Sequence, residues 1–289
     1  MKLAIGFFDG VHLGHQRILA GADAALTFRE HPLSVLAPDK APPLLMTPEE
    51  RIAAIASALN GLNDRVRALS FTRELAAEPA DAFAERLRRD YPDLETILCG
   101  PNWRFGAGGA GDADFLRARG FAVEVVPLEE QDGAPVSSTR IRAALQAGDL
   151  PLANAMLGRP FAVAGEVVSG KGEGRKLGFP TINVRPANPC LARLLPFGVY
   201  VADTDWGRAV ANWGQAPTMG EQAWPSPVLE VHVVERGEGE KVGRGEGGKV
   251  EISLLRFLRP ERRFDSVEAL REQIKTDVFS ASHSQQDRL

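Results

Sequence analysis

Short apolar runs stand at residues 2–8, 24–28, 65–71, 95–99 and 121–126, and the stretches between them carry a helical period. Thr47-Pro48-Glu49-Glu50 predicts a helix start. Thr47 is placed as N-cap, Pro48 in the first turn, and Glu50 reaching back in a capping box. Leu59-Asn60-Gly61 supplies the stop. A second helix is predicted from Pro79 to Asp90, closed by Pro92. Strands alternating with helices predict a parallel sheet covered on both faces.

From about Gly158 the pattern changes. "FAVAGEVV", "GVYVAD", "RAVANWG", "VLEVHVVE" and "VEISLLRF" alternate with period two, and Gly and Pro punctuate them. Short strands spaced by turn residues predict a small antiparallel barrel. One helix follows, "DSVEALREQIKTDV", with Asp265 as the expected N-cap and Glu268 at the box position. The change of class predicts one domain over 1–157, a second over 158–279 and a frayed tail over 280–289. "ERGEGEKVGRGEGGK" (235–249) is rich in Gly and mixed charge and reads as a solvated loop.

Composition adds bounds. A chain of 289 residues is expected to form one large or two modest domains. The formal net charge of -4 argues against a general nucleic-acid binder. The two cysteines, Cys99 and Cys190, lie far apart with no CxxC, so reduced thiols are expected. No apolar run reaches the ~18 residues of a membrane span. Met1 leads straight into the first strand, leaving no room for a signal segment before Asp9. A soluble cytoplasmic protein without membrane or nucleic-acid partners is the expectation.

Three motifs mislead. "GEVVSGKG" (165–172) fits a Walker A loop up to its lysine, but Gly172 stands where Ser or Thr would hold Mg²⁺, and "EGRKLGFP" predicts no helix. "GAGGAG" (106–111) fits GxGxxG, yet "GPNWRF" separates it from the strand "TILC", and a mobile glycine loop is the better reading. "HLGH" could open a metal site with Asp9 and His31, but no stronger metal motif supports it.

"GFFDGVHLGH" (6–15) fits phosphate chemistry better. A first strand runs into a glycine turn, and a helix is expected from Gly14 or His15. Ligands of open parallel sheets bind at the carboxyl ends of strands, and helix N-termini favour anions. His12 and His15 at that edge can donate to phosphate oxygens and balance charge that develops in transfer. "VSSTRIR" (136–142) is a second cluster, with hydroxyls at Ser137, Ser138 and Thr139 and guanidinium forks at Arg140 and Arg142. A plain capped helix with solvated arginines is its simpler alternative.

These clusters, with "TFREHP" and "GPNWRFG" between them, resemble the bifunctional riboflavin kinase/FMN adenylyltransferase family, the prokaryotic FAD synthetases. "GFFDGVHLGH" is similar to the family's HxGH signature and "VSSTRIR" to its second box. "LGRPFAVAGEVVSGKGEGRKLGFPTINV", "GVYVA", "NWGQAPT", "LEVHVV" and "LRPERRFDSVEALREQIKTD" follow in the order of the riboflavin kinase domain. The resemblance spans nearly the whole chain. It implies a Rossmann-like nucleotidyltransferase domain followed by a kinase barrel with a C-terminal helix. It implies FAD biosynthesis from riboflavin, with ATP as co-substrate, Mg²⁺ as cofactor, and FMN and FAD as products; flavoenzyme clients are conceivable partners.

The matching positions give Glu230 as base and His12 and His15 as charge stabilisers. Gly6, Phe8, Asp9, Gly14, Ser138, Thr139 and Arg142 belong to one ATP site. Gly170, Lys171, Gly172 and Gly178 belong to the other. Thr181 and Asn183 match the Mg²⁺ positions and Asn102 a flavin position.

The chain departs from the family pattern twice. "QRILAGADAALTF" leaves room for about two helical turns at ~1.5 Å per residue, where the family has a fuller helix. "RGEGEKVGRGEGGK" replaces a short Leu-Tyr-Gly turn. Retention of one activity alone, or a non-catalytic flavin-binding module, stays open on the sequence.

Overall fold

Strand β1 (Lys2–Ile5) is the central strand of the first half's sheet, and both its neighbours come later in sequence. Helix α1 (Leu13–Ala20) returns the chain to β2 (Ala24–Phe28). Helices α2 (Pro32–Leu36) and α3 (Pro48–Ala58) lead to β3 (Val66–Leu69). Helices α4 (Arg73–Ala76) and α5 (Ala80–Asp90) precede β4 (Thr96–Cys99), and α6 (Ala113–Arg117) precedes β5 (Ala122–Val125). The sheet order is β3-β2-β1-β4-β5, every pairing parallel. A two-stranded ribbon, β6 (Glu130–Gln131) and β7 (Ala134–Pro135), follows.

Alternation along the strands sorts the core into two layers, because successive side chains face opposite ways. Leu3, Ile5, Leu26 and Ile97 meet Phe83, Leu87 and Leu116 on one face. Ala4, Ala25 and Leu98 meet Ile18, Leu19, Ile55 and Leu59 on the other. Each large side chain so buried contributes about 1.5–3 kcal/mol. The Thr47–Glu50 capping box forms as the sequence predicts, and Asn60 and Gly61 take positive φ just beyond α3.

The computed structural model describes residues 1–61, 63–170, 173–214, 226–234 and 245–283. It divides into two units, Met1–Ser138 and Thr139–Leu289. Helix α7 (Ser138–Gln146) begins on the last residue of the first unit, and α8 (Leu150–Leu157) follows. The second unit then runs β8 (Phe161–Val168), α9 (Glu173–Leu177), β9 (Ile182–Pro186), α10 (Leu191–Leu194), β10 (Gly198–Thr204), β11 (Gly207–Gly214), β12 (Val228–Val233), β13 (Lys249–Pro260) and α11 (Val267–Ser282). The six strands close a barrel in the order β10-β11-β12-β9-β8-β13, all antiparallel.

The division falls before α7 for a visible reason. Asn154 of α8 is buried, donates to the Leu254 carbonyl at 2.9 Å and accepts from Phe161 N–H at 2.8 Å. Gln146 at the end of α7 donates to the Arg193 carbonyl at 2.9 Å. Both helices are thus fastened to the barrel's own chain.

Several local expectations change. Glu173–Leu177 forms one helical turn, α9, where the sequence predicts no helix. The N-cap of α11 is Ser266, whose hydroxyl accepts from Ala269 N–H at 3.1 Å, and not Asp265. Helix α11 continues through Ser282, so residues 280–282 are helical rather than tail. Its anchor is Asp277, 5% exposed, which accepts from Arg259 Nη2 at 2.7 Å. "GAGGAG" is not a loose loop: Phe105 and Gly111 exchange backbone hydrogen bonds at 3.0 and 2.8 Å, and Ala107 N–H donates to the Glu78 carbonyl at 2.8 Å. Most of the 235–249 loop lies outside the described residues.

Candidate active sites

The turn after β1 carries three positive φ values in four residues: Phe8 (57°), Gly10 (84°) and Val11 (40°). Left-handed backbone costs a residue with a Cβ roughly 1–2 kcal/mol. Strain of this kind persists where surrounding contacts over-determine it. Here those contacts are specific. The Phe8 ring is buried over Gly6, so closely that a Cβ on Gly6 would stand 2.9 Å from it. The Asp9 carboxylate, 1% exposed, accepts from Leu45 N–H at 3.1 and 3.2 Å. The Ser138 hydroxyl donates to the Asp9 carbonyl at 2.9 Å.

This turn delivers two imidazoles to the carboxyl edge of the sheet. Helix α1 starts at Leu13, one residue before the expected Gly14, with His12 as its N-cap, whose Nδ1 accepts from His15 N–H at 3.4 Å. That bond assigns the ring proton of a neutral His12 to Nε2. The two rings stack at 3.6 Å between centroids and 18° between planes, and the Phe8 ring meets His15 edge-on at 5.3 Å. His15 keeps part of its surface exposed, but its Nδ1 is enclosed and has no hydrogen-bond partner among the described residues. Burial, and secondarily the charge of His12, hold its pKa well below the usual histidine value. His15 is therefore neutral at pH 7. Gly14 sits beside the His12 ring, 3.4 Å from where its Cβ would be.

Thr139 and the buried Arg142 follow on α7, in the second unit. Asn102 is exposed in the turn after β4, next to Trp103, whose ring stacks on Phe105 at 4.8 Å. His31 joins no metal cluster: its Nδ1 accepts from Leu33 N–H at 3.1 Å as the cap of α2. No group of three or more His, Cys, Asp or Glu placed to hold a metal occurs among the described residues.

In the barrel, register assembles the second site. Glu230 of β12 pairs with Asn212 of β11 on one side and with Asn183 of β9 on the other. Directly paired residues share a face of the sheet. The row Asn212–Glu230–Asn183 is therefore polar on one face, while Leu229, Val231 and Val233 are buried on the other. Thr181 precedes β9 by one residue. Gly170 lies against Asn183 so tightly that a Cβ would fall 1.9 Å from its Nδ2, and a Cβ on Gly174 would stand 3.3 Å from Thr181 Oγ1. Gly178, φ 87°, turns the chain out of α9. Lys171 and Gly172 lie outside the described residues.

The sequence reading passes over two residues near these sites. Asn212 is one; its signal is the alternating position in "RAVANWG" opposite Glu230. Glu261 is the other. Its carboxylate covers Gly214, 1.8 Å from where a Cβ would be. Burial pushes its pKa up against a hydrogen bond from Asn212.

Comparisons with known proteins match this two-part geometry. The FAD synthetase family model matches residues 1–140, and the riboflavin kinase model matches residues 157–284. The chain is 36% identical to the bifunctional riboflavin kinase/FMN adenylyltransferase of Pseudomonas fluorescens, over 96% of this chain and 90% of that protein. It is 32% identical to the same-named protein of Bacillus subtilis (strain 168), over 96% and 90%, and 33% identical to that of Escherichia coli (strain K12), over 96% and 91%. A Streptococcus pneumoniae crystal structure described as a macrolide-efflux protein superposes with a TM-score of 0.80 at 28% identity, covering 98% of this chain and 94% of that one. Among the described residues no helix is long and apolar enough to cross a membrane. The two family models fall in order on the parallel-sheet unit and the barrel, the relatives align over nearly the full length, and the chain belongs to the bifunctional riboflavin kinase/FMN adenylyltransferase family.

Proposed function

We propose that the chain makes FAD from riboflavin in two ATP-dependent steps, with the barrel as kinase and the parallel-sheet unit as adenylyltransferase. In the first step the ribityl 5′-hydroxyl of riboflavin attacks the γ-phosphorus of ATP. The bond from that phosphorus to the bridging oxygen breaks, and ADP leaves. An alcohol is a weak nucleophile at neutral pH, so a base placed to take its proton helps. Glu230 is that base, and the observation that carries the reading is its place in the row between Asn212 and Asn183. The amide neighbours offer hydrogen bonds without adding charge.

The residues present fit a Mg²⁺ ion brought in on ATP. Thr181 and Asn183 offer neutral oxygens, a donor set suited to a hard cation that keeps its phosphate and water ligands. Gly170 and Gly174 carry no Cβ, and this lets their backbone approach Asn183 and Thr181 closely. Bound there, the ion would neutralise phosphate charge as the γ-phosphoryl moves. Gly170 and Gly178 shape that loop, and Lys171 and Gly172 are proposed as its remaining phosphate contacts.

In the second step an FMN phosphate oxygen attacks the α-phosphorus of ATP, and pyrophosphate leaves. The second pKa of a phosphate monoester is about 6, so this nucleophile is already ionised and no base is needed. The site must instead stabilise crowded negative charge. His12 offers Nε2–H. His15, neutral at rest, gains a reason to take a proton when phosphates arrive, because nearby anions favour its charged form. Gly6, Phe8 and Asp9 hold the turn, and Gly14 keeps the approach open. Ser138, Thr139 and Arg142 are proposed as the second phosphate-binding cluster and Asn102 as a flavin contact. We also place the protein in the cytoplasm, a reading supported by two free cysteines.

Incubation of the purified chain with riboflavin, ATP and Mg²⁺ tests the function. Chromatography should show FMN first and FAD second. Accumulation of FMN alone would leave one activity, and tight flavin binding without turnover would leave a binding module.

A further inference from the structure

Among the described residues Arg51 is the largest side chain that is completely enclosed: it is 0% exposed. It follows the capping box of α3, and its backbone N–H donates to the Thr47 carbonyl at 3.0 Å. Nη2 donates to the carbonyls of Phe28 and Arg29, the latter at 2.9 Å. The guanidinium carbon lies 4.1 Å over the centre of the Phe7 ring. Nε and Nη1 have no hydrogen-bond partner among the described residues. Burial lowers the pKa of Arg51, and the negative charges of Asp9, Glu49 and Glu30 act against that.

An apolar side chain of similar volume would fill this position without the penalty of a buried, incompletely paired cation. What the cation touches suggests what it is for. Phe28 and Arg29 lie at the carboxyl end of β2. Phe7 opens the strained turn after β1, its carbonyl accepts from the Thr27 hydroxyl at 3.1 Å, and its ring meets His31 edge-on at 4.8 Å. The buried Asp9 stands in the same turn. One guanidinium therefore joins the ends of the adjacent strands β1 and β2, stacking on Phe7 and donating through Nη2 to Phe28 and Arg29, at the edge where the two histidines stand. Lysine cannot copy this, because an ammonium lacks the planar face that stacks on Phe7.

We propose that Arg51 is a positioning residue for adenylyl transfer: by fixing Phe7 and the end of β2, it holds the Phe8–Val11 turn in the form that presents His12 and His15 to the phosphates. The inference rests on assigning adenylyl transfer to the first unit. Its effect passes through the turn and needs no contact with substrate. It therefore falls on the rate of the bound complex more than on FMN affinity, because misplacement of about 1 Å can cost ~100-fold.

The test uses the full chain with R51M and R51K, and reads both activities on each preparation. For R51M, kcat for FMN to FAD should fall about 100-fold, with KM for FMN changed less than about threefold. The riboflavin kinase rate should stay within about twofold, since that chemistry lies in the other unit. R51K should recover about tenfold of the loss, through the restored charge alone. If R51M unfolds the first unit, seen as a lost thermal transition with kinase activity intact, R51K decides alone. It should then fold and lose about tenfold in kcat. Adenylyl transfer within threefold of wild type in a folded R51M, or within twofold in R51K, overturns the inference. So does a loss confined to KM. A wild-type chain that makes FMN but never FAD would instead overturn the assignment of adenylyl transfer to this unit.

Discussion

The two sites solve opposite problems with opposite materials. The barrel site is made by register: Asn212, Glu230 and Asn183 meet because three strands pair at fixed positions. The sheet-edge site is made by a turn, with three left-handed residues in four and two stacked imidazoles held from behind. On the proposed reading the first must take a proton from an alcohol, and Glu230 supplies the carboxylate. The second receives a nucleophile that is already ionised, and it supplies neutral or cationic donors. The proposed base stands where the chemistry lacks an anion, and none is assigned where the substrate brings one.

The largest expected effect comes from removing the base. E230Q should lower FMN formation by about 10²–10⁴-fold, the usual worth of a general base, while conversion of supplied FMN to FAD persists. Both rates are read by chromatography on one preparation. Loss of both in a folded protein would erase the contrast between the sites. Next is H15N, which keeps a polar side chain near the Nδ1 position but cannot become cationic. Adenylyl transfer should fall about 10²–10³-fold, the cost of losing one oxyanion-type donor, with the kinase rate unchanged.

A smaller effect sharpens the register argument. G170A puts a methyl where Asn183 Nδ2 stands 1.9 Å away, so Asn183 must move. Kinase activity should fall by about tenfold or more, with the apparent KM for Mg²⁺-ATP raised, and adenylyl transfer should be untouched. An unaffected kinase would mean that Asn183 has no part in that site.

The smallest effect concerns pH. His15 has a folded pKa depressed below its unfolded value of about 6.5, so the unfolded chain binds the proton more readily. Its contribution to stability is fully present above pH 6.5 and is lost as pH falls from there toward the folded value. Thermal unfolding of wild type and H15N at pH 7.5 and pH 5.5 should therefore show a steeper acid loss in wild type. Equal slopes would mean that His15 titrates normally.

Particular residues show how far the sequence carried. Thr47 and Glu50 lie three apart with Pro48 between, and local hydrogen bonds settle that cap, so it was readable. Asp265 and Ser266 are both good caps by residue type, and Ser266 takes the position. Strand β9 is five residues, Ile182–Pro186, too short to show alternation, and its Asn183 stands out only through the family resemblance. The single turn α9 follows from closure over Gly174 and Phe179, which bond backbone to backbone at 2.8 Å, a tertiary constraint invisible in composition. Arg51 left a faint trace: it stands four residues before Ile55 and eight before Leu59, both buried, so a charge occupied the apolar stripe of α3. Its cause needed the strand ends that meet it.

The division of labour is tested most directly by complementation. E230Q and H15N are purified separately and given riboflavin, ATP and Mg²⁺, alone and as an equimolar mixture. H15N alone should stop at FMN, E230Q alone should leave riboflavin unchanged, and the mixture should produce FAD. A mixture that makes no more FAD than the better single variant would contradict the account.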